Sequence, residues 1–270
     1  MNCRICSHQT APAFETRVLG KHQVNYFQCP NCSFIQTEEP HWLPEAYSSA
    51  MTKLDIGLVG RNHFLAQQTE RILLKFFNPR LKFLDYGGGY GLFVRMLRDR
   101  GFDFYRQDRY CQNIFAEYFD LEDLPAGASF ELLTAFEVFE HLVDPAGEVE
   151  RMLGLSESIL FSTELQPEAH PTPASWWYFI PETGQHVSLY SRKSLEILAE
   201  RFQCQFYTNG TNLHLLTRRT LHANPFPRPS RWAEIKGKLK YRLFPDPLNE
   251  KSGLGSLLDH DMNHIRSKIG

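Results

Sequence analysis

The amino-acid sequence predicts an α/β protein built on a mostly parallel sheet, with a small N-terminal cysteine module and a C-terminal basic helical tail. Three observations support this prediction. Two Cys-x-x-Cys pairs lie within the first 32 residues, a glycine-rich turn separates an apolar strand from an amphipathic helix, and strand patterns alternate with helical patterns. The chain has 270 residues, of which 42% are apolar and 22% charged, which excludes collagen-like and largely disordered proteins.

The charges of the chain nearly balance, with 29 Lys and Arg against 31 Asp and Glu. Residues 111–168 hold thirteen acids and one base, which disfavours nucleic acid as a partner, whereas residues 214–270 hold eleven bases and five acids. No apolar run approaches the roughly 18 residues of a membrane-spanning helix, and the first residues lack the apolar core of a secretory signal. We therefore expect a cytoplasmic protein.

The two cysteine pairs are separated by 22 residues: Cys3, Cys6, Cys29 and Cys32. In a reducing compartment this spacing predicts a closed four-sulfur zinc site, which leaves no open position and is therefore structural. Residues 16–19 and 23–28 are predicted to form two short strands joined by a turn at 20–21, as in a zinc ribbon. The alternative is four reduced thiols that hold no metal.

A glycine-rich turn follows a predicted strand at 81–85 and opens a helix that includes residues 92–97. The pattern is Asp-x-Gly-x-Gly-x-Gly, from Asp85 to Gly91. The third glycine of a dinucleotide fingerprint would fall on Leu92, and no Gly-Lys-Ser/Thr follows, so neither a dinucleotide loop nor a phosphate loop is indicated. An acid two residues before the first glycine suits a ligand with a cationic end, and S-adenosylmethionine carries an ammonium and a sulfonium group.

The next predicted strand, 102–108, ends at Asp108, which is 17 residues after Gly91. A carboxylate at this strand end can accept hydrogen bonds from both hydroxyls of a ribose. Alone, Asp108 would be better interpreted as a loop or cap residue. The glycine turn at the right distance upstream favours the ribose.

These segments, together with residues 136–142, resemble class I S-adenosylmethionine-dependent methyltransferases. The run Glu-Val-Phe-Glu-His-Leu-Val-Asp-Pro resembles a large subgroup that acts on small molecules, several members of which carry an N-terminal four-cysteine zinc module. The resemblance covers about residues 1–220 and implies a Rossmann-like sheet of seven strands in the order 3-2-1-4-5-7-6. It divides the chain into a zinc ribbon (1–45), a methyltransferase domain (46–220) and a C-terminal extension (221–270).

The resemblance also implies which residues bind S-adenosylmethionine. The glycines would line its methionine part and Asp108 would hold its ribose, while the tyrosines at 86 and 90 would face the sulfonium. The cofactor-binding residues implied are Asp85, Tyr86, Gly87, Gly89, Gly91, Asp108, Phe136 and Glu137.

The remaining elements fit the same fold. A helix at about 62–77 would cover the cofactor with an apolar side of Phe64, Leu65, Ile72, Leu73 and Phe76. Later elements are strands at 132–138 and 158–162, a helix that Asp144 and Pro145 begin, a helix from Ser191 to about Phe202, and a hairpin of 205–208 and 213–217 across Asn209-Gly210. Residues 232–244 are predicted to form a basic amphipathic helix that packs on the domain, dimerises or lies on a membrane, of which packing is favoured.

Three stretches reach the carboxyl ends of the predicted strands: 137–141, 176–181 and 184–190. His186 is the favoured general base, because a methyl acceptor must lose a proton and an imidazole can take it. The alternative is a histidine that only caps a loop. Glu137 and His141 are further catalytic candidates, although His141 more readily has a structural role.

Glu137, Glu140 and His141 are spaced to share one helical face, and with His186 they could bind a divalent metal. Some relatives with a Glu-x-x-Glu-His run do so, notably the small-RNA 2'-O-methyltransferases, but the general base is favoured here. Residues 176–178 are two tryptophans and a tyrosine, for which an acceptor wall and a core or interface role are equally supported.

The sequence therefore predicts methyl transfer from S-adenosylmethionine to a small molecule, such as a sugar or a nucleotide-linked sugar. One alternative is an RNA methyltransferase that uses the ribbon as an RNA reader, but residues 1–45 hold three bases against four acids, which is poor for phosphate contact. The other alternative is a catalytically silent cofactor-binding scaffold. The retained acids and glycines argue against it.

Overall fold

The computed structural model describes residues 1–48, 52–167, 170–226 and 258–269. A six-stranded sheet forms its centre, and a four-stranded sheet lies at the N-terminal end. The central strands are β4 (Lys82–Tyr86), β5 (Asp103–Gln107), β6 (Leu132–Ala135), β7 (Ser158–Ser162), β9 (Gln205–Thr208) and β10 (Leu213–Thr217). The N-terminal strands are β1 (Ala11–Val18), β2 (His22–Gln28), β3 (Ile35–Thr37) and β8 (Ser188–Leu189).

The central sheet has the order β5-β4-β6-β7-β10-β9. Strands β5, β4, β6 and β7 are parallel, and β10 runs antiparallel to both β7 and β9. The mixed α/β sheet and its terminal hairpin follow the prediction. The seven-stranded order does not: the described residues form six strands, and the edge strand beyond β5 is missing.

The missing edge strand has a local cause. Asp120 makes a single parallel bridge to Arg106, at the place where a seventh strand would pair. The side chain of Asp120 then caps a 3-10 turn at Leu121–Asp123 through a reciprocal capping box with Asp123. Because this cap bends the chain after one extended residue, the segment cannot continue along β5.

Six helices flank the sheets among the described residues: α1 (Leu43–Ala46), α2 (Leu58–Phe76), α3 (Leu92–Asp99), α4 (Pro145–Leu155), α5 (Arg192–Arg201) and α6 (Leu258–Ile269). As predicted, Asp144 caps α4 by accepting the backbone N–H of Gly147, and Ser191 caps α5. Helix α2 begins four residues earlier than predicted, and Phe64 is 49% exposed rather than part of its apolar face.

Two apolar clusters cover the two faces of the central sheet. Successive residues of a strand point to opposite faces, so Leu84 joins one cluster and Phe83 joins the other. Helices α2 and α3 pack on the Phe83 side, whereas α4 and α5 pack on the Leu84 side. The Leu84 cluster extends to Cys3, Cys29 and Cys32, so the N-terminal module and the central domain share one core.

The N-terminal sheet contains the predicted hairpin, β1 and β2, and has the order β1-β2-β3-β8. Its fourth strand, β8, lies about 150 residues further along the chain than β3 and begins two residues after His186. A third apolar cluster fills this sheet and includes Trp42, Trp176 and Phe179. No helix in the described parts of the chain is long and apolar enough to cross a bilayer. The predicted helix at 232–244 lies outside the described residues.

Candidate active site

A cavity of about 980 Å³ opens at the carboxyl ends of β4, β5 and β6, where ligands bind in open parallel sheets. Two groups of residues line it. We call residues 85–93 with 107–115 the glycine half, and residues 136–144 with 176–188 the histidine half. Of the predicted cofactor-binding residues, all except Gly91 line this cavity.

The glycine turn has positive φ angles, which residues with a side chain rarely adopt. Gly87 has a φ of +69°, and a Cβ there would lie 2.7 Å from Cγ2 of Val138. Gly91 caps α3 with a φ of +85°, and a Cβ there would lie 2.6 Å from Oδ1 of Asn113. Glycine is therefore required at both positions, at Gly87 for the close packing of the turn against Val138 and at Gly91 for the start of α3.

Asp108 is held by backbone N–H groups. Its Oδ1 accepts from Tyr110 and Cys111, both at 2.7 Å, and its Oδ2 accepts from Gly89 at 2.9 Å. The carboxylate therefore ties the end of β5 to the glycine turn. Asp108 lines the cavity, and one lone-pair site, on Oδ2, is still open to a ligand. A ribose contact through that site stays a prediction.

Arg106 supports the same turn from below, and the sequence reasoning missed it. Its guanidinium is buried, pairs with Asp120 at 2.7 Å and donates to the carbonyls of Gly89 and Cys111. The available signal was a basic residue two positions after Phe104, on the face of β5 that strand alternation predicts to be buried. Such a residue must be paired when it is buried.

Asp85 and Tyr86 lead into the turn. Asp85 is buried and accepts a 2.6 Å hydrogen bond from the hydroxyl of Thr134, and burial raises the pKa of its carboxyl to about 7. The hydroxyl of Tyr86 donates to Glu148 of α4 at 2.6 Å, and burial raises its pKa to about 12. The Tyr86 hydroxyl is thus engaged by α4, while the residue lines the cavity.

Glu137 begins the histidine half with a φ of +54°, an unusual conformation for a residue other than glycine. The Ser162 hydroxyl accepts from the backbone N–H of Glu137 and donates to its Oε1 at 2.6 Å. Nε of Arg61, on α2, lies 3.7 Å from Oε2 and the same guanidinium pairs with Asp55. Arg61 lines the cavity, and no local pattern in the sequence pointed to it.

His141 and His186 are both oriented by backbone carbonyls. Nδ1 of His141 lies 3.1 Å from the Gln185 oxygen, and Nδ1 of His186 lies 2.6 Å from the Tyr178 oxygen. A carbonyl only accepts, so each Nδ1 carries the proton and each Nε2 keeps a lone pair. Burial lowers the pKa of His141 to about 4, and burial together with His141 lowers that of His186 to about 3, so both are neutral at pH 7.

Glu140 is fully buried beside the two histidines, and neither of its carboxylate oxygens has a hydrogen-bond partner among the described residues. The hydroxyls of Tyr178 and Thr163 are close without reaching hydrogen-bond geometry. Burial, with a contribution from the charge of Glu137, raises the pKa of the Glu140 carboxyl to about 8.

Ligand atoms of Glu140, His141 and His186 lie within 4.8 Å of one another. Three of the four residues named for a second metal therefore converge. The fourth, Glu137, lies outside this group of converging atoms and is engaged by Ser162 and Arg61.

The aromatic stretch is divided between two environments. Trp177, which is 66% exposed, and buried Tyr178 line the cavity, whereas Trp176 is buried in the third apolar cluster. Helix α6 adds Arg266 to the cavity wall, where it lies 3.6 Å from Glu182. The sequence reasoning did not anticipate a cavity residue from the C-terminal extension.

The sulfur atoms of the four paired cysteines converge within one small cluster. Their sulfurs are separated by 3.6 Å (Cys3–Cys32), 3.4 Å (Cys6–Cys29) and 3.6 Å (Cys6–Cys32). Zinc–sulfur bonds of about 2.3 Å in a tetrahedron place sulfurs about 3.8 Å apart, so the cluster fits the geometry of a four-thiolate zinc site.

A family model described as a methyltransferase domain matches residues 60–209, more than half of the chain. The mitomycin 7-O-methyltransferase MmcR is 12% identical over 67% of this chain and 69% of its own, with a TM-score of 0.40. An O-methyltransferase family protein from Burkholderia thailandensis is 11% identical over 66% and 68%, with a TM-score of 0.40. NcsB1, an O-methyltransferase from neocarzinostatin biosynthesis in complex with S-adenosyl-L-homocysteine and 1,4-dihydroxy-2-naphthoic acid, is 13% identical over 66% and 61%, with a TM-score of 0.44. No curated protein matches this chain significantly.

Proposed function

Because this chain belongs to the methyltransferase-domain family, we propose that it transfers the methyl group of S-adenosylmethionine to a small-molecule acceptor. The observation that carries the proposal is the shared cavity, in which the glycine turn with Asp108 faces two neutral histidines. A cofactor and an acceptor that lie in one cavity can meet in line, and much of the rate of methyl transfer comes from that positioning.

The glycine half suits the cofactor. Gly89 has open space where a Cβ would lie, so a ligand can approach its backbone closely, and Asp108 offers a rigid carboxylate to a ribose hydroxyl. Bound there, S-adenosylmethionine would supply a methyl group on a sulfonium centre. We assign Asp85, Tyr86, Gly89, Phe136 and Glu137 to the same site as cavity residues, and Gly91 to the start of α3.

The histidine half suits an acceptor that must lose a proton. We propose that Nε2 of His186 takes this proton, since its Nδ1 is committed to the Tyr178 carbonyl. Burial makes the neutral form of His186 stable, so the imidazolium needs a nearby negative charge. Glu140 lies close to the imidazole and supplies this charge in its ionised form, which its pKa of about 8 makes the minor form at pH 7.

The acceptor that we propose is a hydroxylated molecule such as a sugar or a nucleotide-linked sugar. Trp177 and Tyr178 provide aromatic surface on which the apolar face of a sugar ring can pack. The four cysteines would hold one structural zinc ion, which their sulfur separations support. The retained hydrogen-bonding groups of the glycine half argue for an active enzyme over a silent scaffold.

The test is a screen of acceptors by release of S-adenosylhomocysteine, with sugars, nucleotide-linked sugars, phenols and RNA in separate arms. Calorimetry should show that the wild-type protein binds S-adenosylmethionine and does not bind NAD. If S-adenosylmethionine does not bind, the proposal is wrong. If RNA is the one acceptor that is methylated, the acceptor is RNA and not a small molecule.

A chelator arm separates the two hypotheses for the histidine half. A general base predicts that a weak chelator, one that leaves the thiolate-bound zinc in place, does not alter turnover. A divalent cation on Glu140, His141 and His186 predicts that the chelator abolishes turnover and that added metal restores it. A melting curve in the same buffer controls for loss of the zinc.

A further inference from the structure

The segment that carries His186 is bonded on its C-terminal side to the N-terminal sheet. Strand β8 begins two residues after His186 and pairs with β3 through Ile35 and Gln36. The backbone N–H of Thr37 donates to the Val187 carbonyl at 3.2 Å, and the Val187 N–H donates to the Glu140 carbonyl at 2.9 Å. Val187, the residue after His186, therefore links the N-terminal module to the backbone of Glu140.

The N-terminal side of the same segment is also held. The indole N–H of Trp42 donates to the Gly184 carbonyl at 2.8 Å, and the Gln185 amide donates to the Ala46 carbonyl at 2.9 Å. Gly184 has a φ of +67°, and a Cβ there would lie 2.9 Å from Cγ1 of Val18 and 3.2 Å from Cδ1 of Trp42. The module thus packs against the backbone of Gly184 with no room for a side chain.

The cysteine cluster takes part in this attachment. The Ser191 hydroxyl, at the start of α5, donates to the carbonyl of Cys32 at 2.5 Å. The ammonium of Lys193 donates to the carbonyl of Asn31, inside the second Cys-x-x-Cys pair. The turn that presents two of the four thiols is therefore bonded to the chain that follows β8.

The hydrogen bonds of this attachment lie on one side of the cavity. Apart from the local bonds of Tyr47 and Ser48 to the end of α1, those that join residues 1–46 to the rest of the described chain end within residues 170–193. The glycine half is held instead by Arg106 and Asp108 from β5 and the residue after it. The hydrogen bonds that support the two halves are therefore separate, while packing contacts such as the Tyr47–Tyr110 stack still connect the halves.

We infer that the N-terminal module is a clamp on residues 177–190, and that Trp42 and Gly184 are positioning residues for His186. The backbone N–H of Leu19 donates to the Pro181 carbonyl at 3.0 Å, three residues after Tyr178, and β8 begins after Val187. The clamp thus holds the segment next to both partners of the Tyr178–His186 hydrogen bond, which sets the direction of the imidazole. The inference rests on the proposed function only for its effect on turnover. Its effect on the free protein does not depend on any acceptor.

Two variants test the clamp, with one matched control. Trp42→Phe removes the indole N–H and keeps an aromatic ring, which leaves the buried carbonyl of Gly184 without its donor. Gly184→Ala adds the Cβ that the module leaves no room for. Gly127→Ala is the control, because Gly127 has a similar φ of +83° but open space around it.

In the free protein, both variants should raise hydrogen exchange at the Val187 amide by about tenfold or more, which is the loss of one buried hydrogen bond. They should also change the ring ¹⁵N signals of His186, which report its tautomer. Exchange at Gly89 and the affinity for S-adenosylmethionine should stay within about threefold of the wild type, and turnover should fall by about tenfold. The control should change none of these.

Wild-type exchange at Val187 and unchanged His186 signals in folded Trp42→Phe protein would overturn the clamp. An equal rise in hydrogen exchange at the Gly89 amide would overturn the clamp as well, because the variant would then destabilise the whole fold. If the wild type fails to bind S-adenosylmethionine, the proposed function fails, and the exchange and histidine signals still decide the clamp. Trp42→Phe is the milder change and serves if Gly184→Ala does not fold.

Discussion

The glycine half of the cavity is made from neighbouring parts of the chain, whereas the histidine half is assembled from distant ones. The turn after β4 and the end of β5 are bonded to each other through Asp108 and Arg106. His141, His186 and Trp42 meet only because the N-terminal sheet receives β8. A site built locally can be recognised as a motif, and a site built by packing needs the whole fold.

The two halves also differ in how their acids are satisfied. Asp108 accepts three backbone hydrogen bonds, so its charge is stabilised before any ligand arrives. Glu140 is buried without one. A buried carboxylate with no partner costs several kcal/mol of stability unless it is protonated, paired or bound to a cation. The carboxylate of the glycine half is therefore fixed in place before a ligand binds. The carboxyl of Glu140 in the histidine half has no hydrogen-bond partner in the described structure and is free to interact with a ligand or a proton.

The largest expected effect comes from removing a thiol of the cysteine cluster, which tests whether the two halves are supported separately. We expect about one zinc per chain, and Cys32→Ala should abolish it, since four-thiolate zinc contributes on the order of 10 kcal/mol in small zinc domains. Loss of the metal should open the clamp, so exchange at Val187 should rise far more than exchange at Gly89. Metal analysis and hydrogen exchange measure both.

Cys204→Ala is the matched control, because Cys204 is a half-buried free thiol outside the cluster. It should keep the zinc and the exchange pattern. Purified wild-type protein without zinc and with four freely titratable thiols would rule out the metal site. Equal opening of both halves in Cys32→Ala would show that they are not supported separately.

The next effect lies within the histidine half. His186→Ala should lower turnover by roughly 10²–10⁴-fold, the usual contribution of a general base, while the affinity for S-adenosylmethionine stays nearly intact. The loss should shrink at high pH, where the acceptor ionises unaided. Turnover and calorimetry on the same preparations measure the two properties, with the exposed histidine variant His222→Ala as the control. Full activity of His186→Ala would leave positioning alone as the source of the rate.

Glu140 gives a smaller effect with a defined pH dependence. Its pKa is about 8 in the folded protein and about 4.3 in an unfolded chain. The folded state therefore binds the extra proton between these values, and Glu140 destabilises the fold progressively as pH rises toward 8. Relative to the wild type, Glu140→Gln should gain up to about 1.4 kcal/mol of unfolding free energy per pH unit in this window.

Urea unfolding at pH 6 and pH 8 measures this difference. Glu150→Gln, a change at an exposed carboxyl on α4, is the control and should show no such trend. A bound cation would keep Glu140 ionised at both pH values. A pH-independent difference would therefore favour the cation over the general base.

Much of the fold could be predicted because its signals are local. The glycines at 87 and 91 mark a turn that needs positive φ, and Asp144 and Ser191 cap the helices that follow them. The hairpin at Asn209-Gly210 likewise depends on a short pattern. Each of these features is determined by residues that are close in sequence.

The remaining features depend on contacts that no local pattern records. Arg61 reaches Glu137 because α2 crosses the cavity, and Trp42 reaches Gly184 across 142 residues. The seventh strand is replaced by a single cap at Asp120, a choice between two local structures that both suit the sequence. The convergence of Glu140 with two histidines was a hypothesis from spacing, and only the packed loops bring in His186.

The smallest effect is expected in the glycine half, where variants of Asp108 should weaken cofactor binding and leave the histidine half unchanged. Asp108→Ala removes the carboxylate that we expect to bind the ribose, and each lost hydrogen bond should cost about 1 kcal/mol or more, so the affinity for S-adenosylmethionine should fall by about tenfold. The same change also removes three backbone contacts, of which the one from Gly89 ties the end of β5 to the glycine turn. Asp108→Asn can keep one acceptor oxygen for the N–H groups of Tyr110 and Cys111, so it isolates the loss at Oδ2, where Gly89 binds and the ribose is expected.

Calorimetry with S-adenosylmethionine and with adenosine measures the loss at the ribose, which both ligands share. Asp99→Ala, which removes an exposed carboxylate that pairs only with Arg95 in the described structure, is the control. Exchange at Val187 should stay at the wild-type level in both aspartate variants, because the clamp on the histidine half does not pass through Asp108. Wild-type affinity in Asp108→Ala would assign the ribose to another residue, and increased exchange at Val187 would join the two halves that the hydrogen bonds separate.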